Sequence, residues 1–160
     1  MAVDMFLKLD KIGGESIDAK HKGEIDILSW SWGTSQSGTT HQGTGSGAGK
    51  VNVQDISVTK WVDASSADLF KACAKGMHIP KALLTVRKAG TNPLEYIKIL
   101  MEKVMVTSVS TGGSGGEEQL TENVTWNFSK VDYKYCSQKE DGSKDKEFAF
   151  KWDIPGNPQF

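Results

Sequence analysis

Apolar and polar residues alternate along most of this chain, the pattern of β-strands that bury one face and expose the other. Residues 3–10 carry apolar side chains at odd positions, with Phe6 as the exception. In residues 24–32, one face carries Leu28, Trp30 and Trp32, and the other carries Ile25, Ile27, Ser29 and Ser31. Because both faces are partly apolar, this strand suits a barrel or sandwich better than an open sheet.

The alternation changes phase at two places. Apolar residues are odd at 51–53 and even from Ile56 onward, so we expect a bulge near Asp55. They are even at 120–128 and odd at 131–135, which predicts a second bulge or bend near Ser129. Two long, bent strands are what a closed or strongly curved sheet requires.

Three further segments complete the pattern. A shorter strand contains Leu84 and Val86 and ends at the turn 89–93, and a last strand, 147–153, puts three aromatic residues on one face. Residues 94–106 fit a helix and a strand about equally well on periodicity alone. No repeat is visible, and we expect a single domain over residues 1–160.

One helix is predicted within this all-β pattern. Ser65 and Asp68 have the spacing of a capping box, and Gly76 stands where a helix would end. Between them an apolar stripe at helical spacing is formed by Leu69, Phe70, Ala72 and Cys73. We expect about three turns of helix.

Composition excludes several classes of function. The chain has 160 residues, 38% hydrophobic, and 19 Lys and Arg against 20 Asp and Glu, for a net charge of -1. Such a balance provides no bulk positive field for nucleic acid or an anionic membrane. Charged residues from Asp4 to Lys11 interrupt any apolar core of a signal peptide, so we expect no signal peptide and no membrane anchor. Cys73 and Cys136 are expected to be reduced.

The glycine-rich tract Gly33–Gly49 does not match a nucleotide-binding loop. A phosphate-binding P-loop needs Ser or Thr after Gly-Lys, but Gly49-Lys50 is followed by Val51, and Thr44 replaces the first glycine. Only Ala48 is apolar in the tract, so it cannot bury itself. We therefore interpret it as a long loop that awaits a partner, and we expect no cofactor.

No catalytic or metal-binding constellation emerges. The three histidines are far apart in sequence, and no serine occupies a Gly-x-Ser-x-Gly elbow. The acid pairs Glu117-Glu118 and Glu140-Asp141 are interpreted as solvated surface rather than glycosidase carboxylates. The five tryptophans favour a core or a subunit interface over a carbohydrate platform. We expect no enzyme activity.

Several blocks of sequence resemble one family. They are Met1–Phe6, Ser29-Trp30-Ser31-Trp32-Gly33 with Ser35–Gly38, Gly47–Asp55, Thr85–Gly90 and Ser108–Glu117 running on to Val124. In this order they are similar to Hcp, the haemolysin-coregulated protein, which forms the tube of type VI secretion systems. The resemblance is strongest over residues 1–135 and fades after Cys136.

The resemblance implies a mainly β fold: a two-sheet β-barrel-like domain with one flanking α-helix, in which 94–109 is a strand. It implies a homohexameric ring that stacks into a hollow tube inside a contractile sheath, carries type VI effectors in its lumen and meets a trimeric spike protein. Such a subunit would be assembled in the bacterial cytoplasm and secreted without a signal peptide. The alternative is a monomeric β-sandwich module that binds a glycan or peptide.

Three sets of residues are candidate sites under this reading. Ser29 and Ser31 present small hydroxyls that could line the lumen and hold effectors. The adaptable assembly loop is expected to contact a neighbouring subunit or ring through Gly33, Gln36, Ser37, Gly38, Gly45, Gly47 and Gly49. Ring stacking is expected to use the C-terminal tail and the turn that contains Lys88, Gly90, Thr91 and Asn92.

Overall fold

The computed structural model describes residues 3–36, 50–90 and 93–156, and these form a mainly β structure with one helix. The elements are β1 Val3–Leu9, β2 Ile25–Ser31, β3 Thr34–Ser35, β4 Asn52–Val53, β5 Ile56–Trp61, α1 Ser66–Lys75, β6 Ile79–Lys88, β7 Glu95–Thr111, β8 Thr121–Asn127, β9 Lys130–Gln138 and β10 Lys144–Asp153. The segment that fits both helix and strand is therefore a strand. Its apolar residues change phase near Lys103, whose φ of 54° is left-handed, and this change imitates helical spacing.

Six antiparallel strands close into a barrel, in the order β7, β6, β1, β2, β5, β8 and back to β7. Two sheets share β2 and β7 at their corners, and each of these strands has a register shift there, at Ile27/Ser29 and Val106/Ser108. Such bulges allow a sheet to bend sharply enough to close. The predicted two-sheet barrel-like fold is confirmed.

The two predicted phase changes are both present. Ser31 pairs with Ser57, and the amide of Gln54 donates to the carbonyl of Gly33 at 3.0 Å. The chain therefore advances three residues from Gln54 to Ser57 while its partner advances two from Ser31 to Gly33, which is the bulge expected near Asp55. At Ser129 the chain bends between β8 and β9, which lie one after the other along β7. The bulges that turn β2 and β7 were not predicted from the sequence.

The barrel interior is filled by aliphatic side chains around Trp126, which is 1% exposed and whose indole N–H contacts the Met101 sulfur at 3.2 Å. Helix α1 packs Leu69 and Ala72 into this core, while Phe70 is largely exposed. Gly76, with φ of 59°, ends the helix as predicted. The capping box does not form, because the Ser65 hydroxyl donates to Asp63 at 2.5 Å instead.

Strands β9 and β10 extend the sheet beyond the closed barrel, and we call this pair the wing. β9 pairs with the first half of β7, and β10 pairs with β9. Within the described ranges, β10 has a strand neighbour on one side only. The wing therefore ends in an open strand edge.

Candidate assembly and cargo surfaces

Ser29 and Ser31 lie together on the outer surface of the barrel. Both are exposed, whereas Ile25 and Ile27, predicted on the same face, are buried in the core. The expected uninterrupted alternation of residues 24–32 is therefore wrong, because the register shift after Ile27 moves Ser29 and Ser31 to the outside. Leu28, at the shift, is 38% exposed.

The two serines belong to a larger surface, which we call the hydroxyl face. It consists of outward residues that sit opposite one another on β2, β5, β8 and β7: Ser29, Ser31, Ser57, Thr59, Asn123, Thr125, Ser108 and Ser110. The Thr59 hydroxyl donates to Asn123 at 2.7 Å, and the Thr125 hydroxyl donates to Ser57 at 3.4 Å. None of these side chains is charged, so the face can exchange hydrogen bonds with a partner of either charge.

The wing carries an aromatic surface that nothing in the described chain covers fully. We call Tyr133, Tyr135, Phe148, Phe150 and Trp152 the aromatic wing face. Phe150 stacks on Trp152 at 5.9 Å and Phe148 on Tyr135 at 6.3 Å. Phe148 is 55% exposed, Tyr135 39% and Phe150 36%. Contiguous exposed aromatics of this kind mark interaction surfaces.

The aromatic wing face continues the interior of the barrel. Tyr133 lies opposite the fully buried Ile99, and Tyr135 lies opposite Ile97. Of the barrel's own residues, Trp32 reaches this face, with its ring 6.2 Å from Tyr133 and 6.5 Å from Phe150. The expectation that the tryptophans serve a core or an interface fits this arrangement.

The base of the predicted assembly loop is a short two-stranded ribbon. Thr34 pairs with Val53 and Ser35 with Asn52, so the first residues of the tract form strand β3 rather than loop. The Trp32 indole N–H donates to the Gln54 carbonyl at 2.9 Å and fastens the ribbon to the barrel. Gly33 is partly buried and Gln36 exposed. The other predicted loop residues, Ser37, Gly38, Gly45, Gly47 and Gly49, lie outside the described residues.

The predicted stacking turn starts at the end of β6. Lys88 donates to Gln138 at 2.5 Å and lies 5.3 Å from the Tyr96 ring centre, which joins the turn to the wing. Gly90 has a positive φ of 145° and open space around it. Thr91, Asn92 and the tail beyond residue 156 lie outside the described residues.

A loop over the outer face of β1 and β6 braces this turn. Arg87 donates to Asp18 at 2.6 Å and to Asp4 at 3.0 Å, and its guanidinium lies 5.0 Å from the Phe6 ring centre. The hydrogen bond from Arg87 holds the pKa of Asp18 well below its usual value. Phe6, the exception in the alternation of β1, is buried under this loop, where it stacks on His21 at 4.3 Å.

His21 ties the same loop to the start of β7. Its Nδ1 is 2.9 Å from Glu24 and its Nε2 is 2.6 Å from Glu95. Burial acts to raise the pKa of Glu95, but hydrogen bonds from His21 and Lys98 outweigh it and lower the pKa. Only the protonated imidazole can donate to both carboxylates at once. A lone histidine carries no local signal in the sequence, so this brace was not predicted.

A buried ionic cluster closes the barrel beside α1. Lys60 and Glu122 are cross-strand neighbours, 0% and 1% exposed, and their side chains form a hydrogen-bonded ion pair. Lys60 also contacts Asp63 at 3.0 Å, and the Ser66 hydroxyl donates to Glu122 at 2.7 Å. The sequence does carry a signal for this cluster, because each strand has an ionisable residue at an inward-facing position. These residues are Lys60, which follows Val58 on the same face, and Glu122, which precedes Val124 on the same face.

The family model for the type VI secretion system effector Hcp matches residues 6–135. The chain is 56% identical to protein hcp1 of Pseudomonas aeruginosa over 161 residues, covering 99% of both chains. The chain belongs to the Hcp family. Membership agrees with the barrel, the wing and the single helix.

Solved Hcp structures share this fold. The crystal structure of Hcp1 from Salmonella typhimurium is 38% identical, with a TM-score of 0.80 and full coverage of both chains. A solved type six secretion system protein is 29% identical, with a TM-score of 0.94 over 99% of this chain and 100% of that chain. The resemblance predicted from the sequence blocks is thus confirmed.

The described part of this Hcp chain contains neither a metal-binding cluster nor a membrane-spanning helix. No group of three or more His, Cys, Asp and Glu residues there is arranged to hold a metal ion. None of the described helical residues form a span of the length and apolar character needed to cross a membrane. Cys73 and Cys136 are free thiols.

Proposed function

We propose that this chain is a non-enzymatic tube subunit of a type VI secretion system, acting as one domain over residues 1–160. Subunits assemble into homohexameric rings, and the rings stack into a hollow tube. The observation that carries the proposal is the aromatic wing face, which continues the barrel core but is only partly covered by the described residues. A second subunit can cover the rest of this face, and contact between two different surfaces closes a ring when the rotation allows it.

Mass measurement by light scattering at micromolar concentration tests the ring. We expect a sixfold multiple of the 17.4 kDa chain mass. A folded species at the monomer mass would contradict the proposal and favour a monomeric binding module. The Phe148→Ser/Phe150→Ser variant should lower the hexamer fraction while its circular dichroism spectrum stays that of a β-protein.

The hydroxyl face is proposed to line the lumen and hold type VI effectors. Each subunit offers weak hydrogen bonds around Ser29 and Ser31, and six copies add their contributions through multivalency. Ser31→Gln adds bulk without charge, so it should preserve the hexamer and reduce effector retention. Lys71→Gln on the exposed side of α1 serves as a control. Unchanged effector recovery with an intact Ser31→Gln ring would place the cargo elsewhere.

The remaining partners follow from the same proposal. The turn with Lys88, Gly90, Thr91 and Asn92 and the C-terminal tail would meet the next ring, and the assembly loop would meet a neighbouring subunit or ring. The tube would lie within the contractile sheath under a trimeric spike protein, be assembled in the bacterial cytoplasm and leave without a signal peptide. Cysteines introduced at Gly90 and in the tail should crosslink between rings on oxidation, and failure in every pairing would remove these contacts.

A further inference from the structure

A cationic cavity lies on the outer side of the wing, beside the start of β7. Its volume is about 260 Å³, and its charged lining consists of Lys20, Lys98, Lys134, Lys144, Glu95 and Glu147. Both glutamates are already engaged: Glu95 by His21 at 2.6 Å and Lys98 at 3.2 Å, and Glu147 by Lys144 at 3.2 Å. Lys134 also lies 3.6 Å from Asp132, outside the lining. With four lysines against two glutamates, the lining of the cavity carries an excess of positive charge.

An acidic loop follows the other end of β7. Residues 104–129 contain no Lys or Arg, and Glu117 and Glu118 are exposed in the loop 112–120. The described residues provide no ion pair for either glutamate, and Glu117 receives one hydrogen bond, from the Ser114 hydroxyl at 3.3 Å. The loop thus presents two carboxylates that have no cationic partner among the described residues of their own subunit.

Both surfaces also contain apolar side chains beside their charged groups. Leu94 and Tyr96 line the cationic cavity. Beside the acidic loop, Leu120 is 43% exposed and Val62 is 44% exposed, held together by a backbone hydrogen bond of 2.8 Å. The two surfaces are therefore complementary in sign and alike in having an apolar side.

The two surfaces cannot meet within one subunit. β7 separates them by 17 residues, a path of about 50 Å along an extended strand. We propose that the acidic loop of one copy of this chain occupies the cationic cavity of a second copy. The contact is head-to-tail, because it joins two different surfaces, and it rests on the proposed assembly into rings and stacks.

Zero-length carbodiimide crosslinking tests the contact directly, because it joins carboxylates to amines only where they touch. Unlabelled and ¹⁵N-labelled wild-type protein are mixed, crosslinked and digested, so that peptides with mixed labels report contacts between copies. We expect mixed-label links from Glu117 or Glu118 to Lys134, Lys144, Lys98 or Lys20. The yield should fall as salt rises, because salt screens exposed charges.

A charge exchange gives the matched functional test. Glu117→Lys/Glu118→Lys and Lys134→Glu/Lys144→Glu should each raise the protein concentration needed for half-assembly on the order of tenfold. An equimolar mixture of the two should assemble like wild type, because each variant's loop then fits the other's cavity. Lys8→Glu/Lys71→Glu makes the same change of charge as Lys134→Glu/Lys144→Glu, but elsewhere on the surface, and should assemble normally.

The outcomes separate the contact from the proposed function. Wild-type hexamers or stacks without these links, or charge variants that assemble at the wild-type concentration, overturn the contact and leave the ring intact. A mixture that fails to assemble although both variants retain the wild-type unfolding transition also overturns it. A wild-type protein that remains monomeric overturns both proposals.

Discussion

The barrel and the wing share strand β7, but they differ in how completely their apolar faces are buried. In the barrel, Ile99 and Met101 are fully buried because side chains from the other strands meet them across the interior. In the wing, Tyr135 and Phe148 continue the same face but remain substantially exposed. A closed barrel buries its apolar side chains against one another, whereas an extension beyond the barrel leaves part of its apolar face exposed.

The largest expected effect tests the barrel at its ionic cluster. Lys60→Met leaves the buried Glu122 carboxylate without its cation, and we expect a loss of about 3–5 kcal/mol in the free energy of unfolding, measured with urea. Lys60→Met/Glu122→Leu should recover most of that loss, because both fully buried charges are gone and the Asp63 carboxylate keeps its hydrogen bonds from Ser65. Equal losses of unfolding free energy in the single and double variants would show that the unpaired Glu122 charge is not the cause of the destabilisation.

A matched pair of truncations tests the comparison itself. Leu84→Ala in the barrel should cost about 2–5 kcal/mol, since Leu84 is 0% exposed. Phe148→Ala in the wing should cost less than about 1 kcal/mol in the dissociated subunit but should reduce assembly. Urea unfolding below the assembly concentration gives the stabilities, and light scattering gives the assembly. Similar stability losses for both variants would mean that the wing face is already covered within the subunit.

Two glycines with positive φ allow the barrel and the wing to be compared at the level of backbone conformation. Gly76, φ 59°, ends α1 beside the barrel, and Gly142, φ 86°, forms the turn between β9 and β10. Alanine at either position should cost about 1 kcal/mol. For Gly142→Ala, hydrogen exchange should speed up in β10 and not in β1 or β6. Gly112→Ala, where there is open space and no positive φ, is the control.

The smallest expected effect is a dependence on pH. Because Arg87 lowers the pKa of Asp18 in the folded state, Asp18 contributes stability above its unfolded pKa, and that contribution is lost as pH falls. Wild-type unfolding free energy should therefore drop more steeply below about pH 4 than that of Asp18→Asn. Parallel curves for the two proteins would show that this brace does not couple to folding.

Much of the fold was predictable because alternation reports burial directly. Most of the strands and the phase changes near Asp55 and Ser129 follow from the order of apolar residues, and the end of α1 follows from Gly76. β7 does not, because residues 94–106 fit a helix and a strand about equally well. The bulges of β2 and β7 were not predictable in this way. At Ser29, for example, either face of the strand was chemically acceptable, and only the register shift against β5 places this side chain outside while Ile27 stays buried.

The candidate surfaces were predictable only in part, because they are built from distant segments. The serines of β2 were recognised, but their neighbours Thr59 and Asn123 join them only through the register of three strands. The His21 brace depends on Glu95, 74 residues away, so local sequence could not reveal it. The buried Lys60 was predictable in principle from its inward position, but alternation alone does not name its partner.

The position of β8 in the barrel also determines which parts of this chain can fold first. β8 pairs with β5 on one side and β7 on the other, so the barrel closes only when residues up to Asn127 are available. During synthesis, β5 keeps an open edge until β8 emerges about 60 residues later, and closure must bring together segments distant in sequence, which slows folding. The wing emerges last, so the barrel can form before the aromatic strand β10 leaves the ribosome.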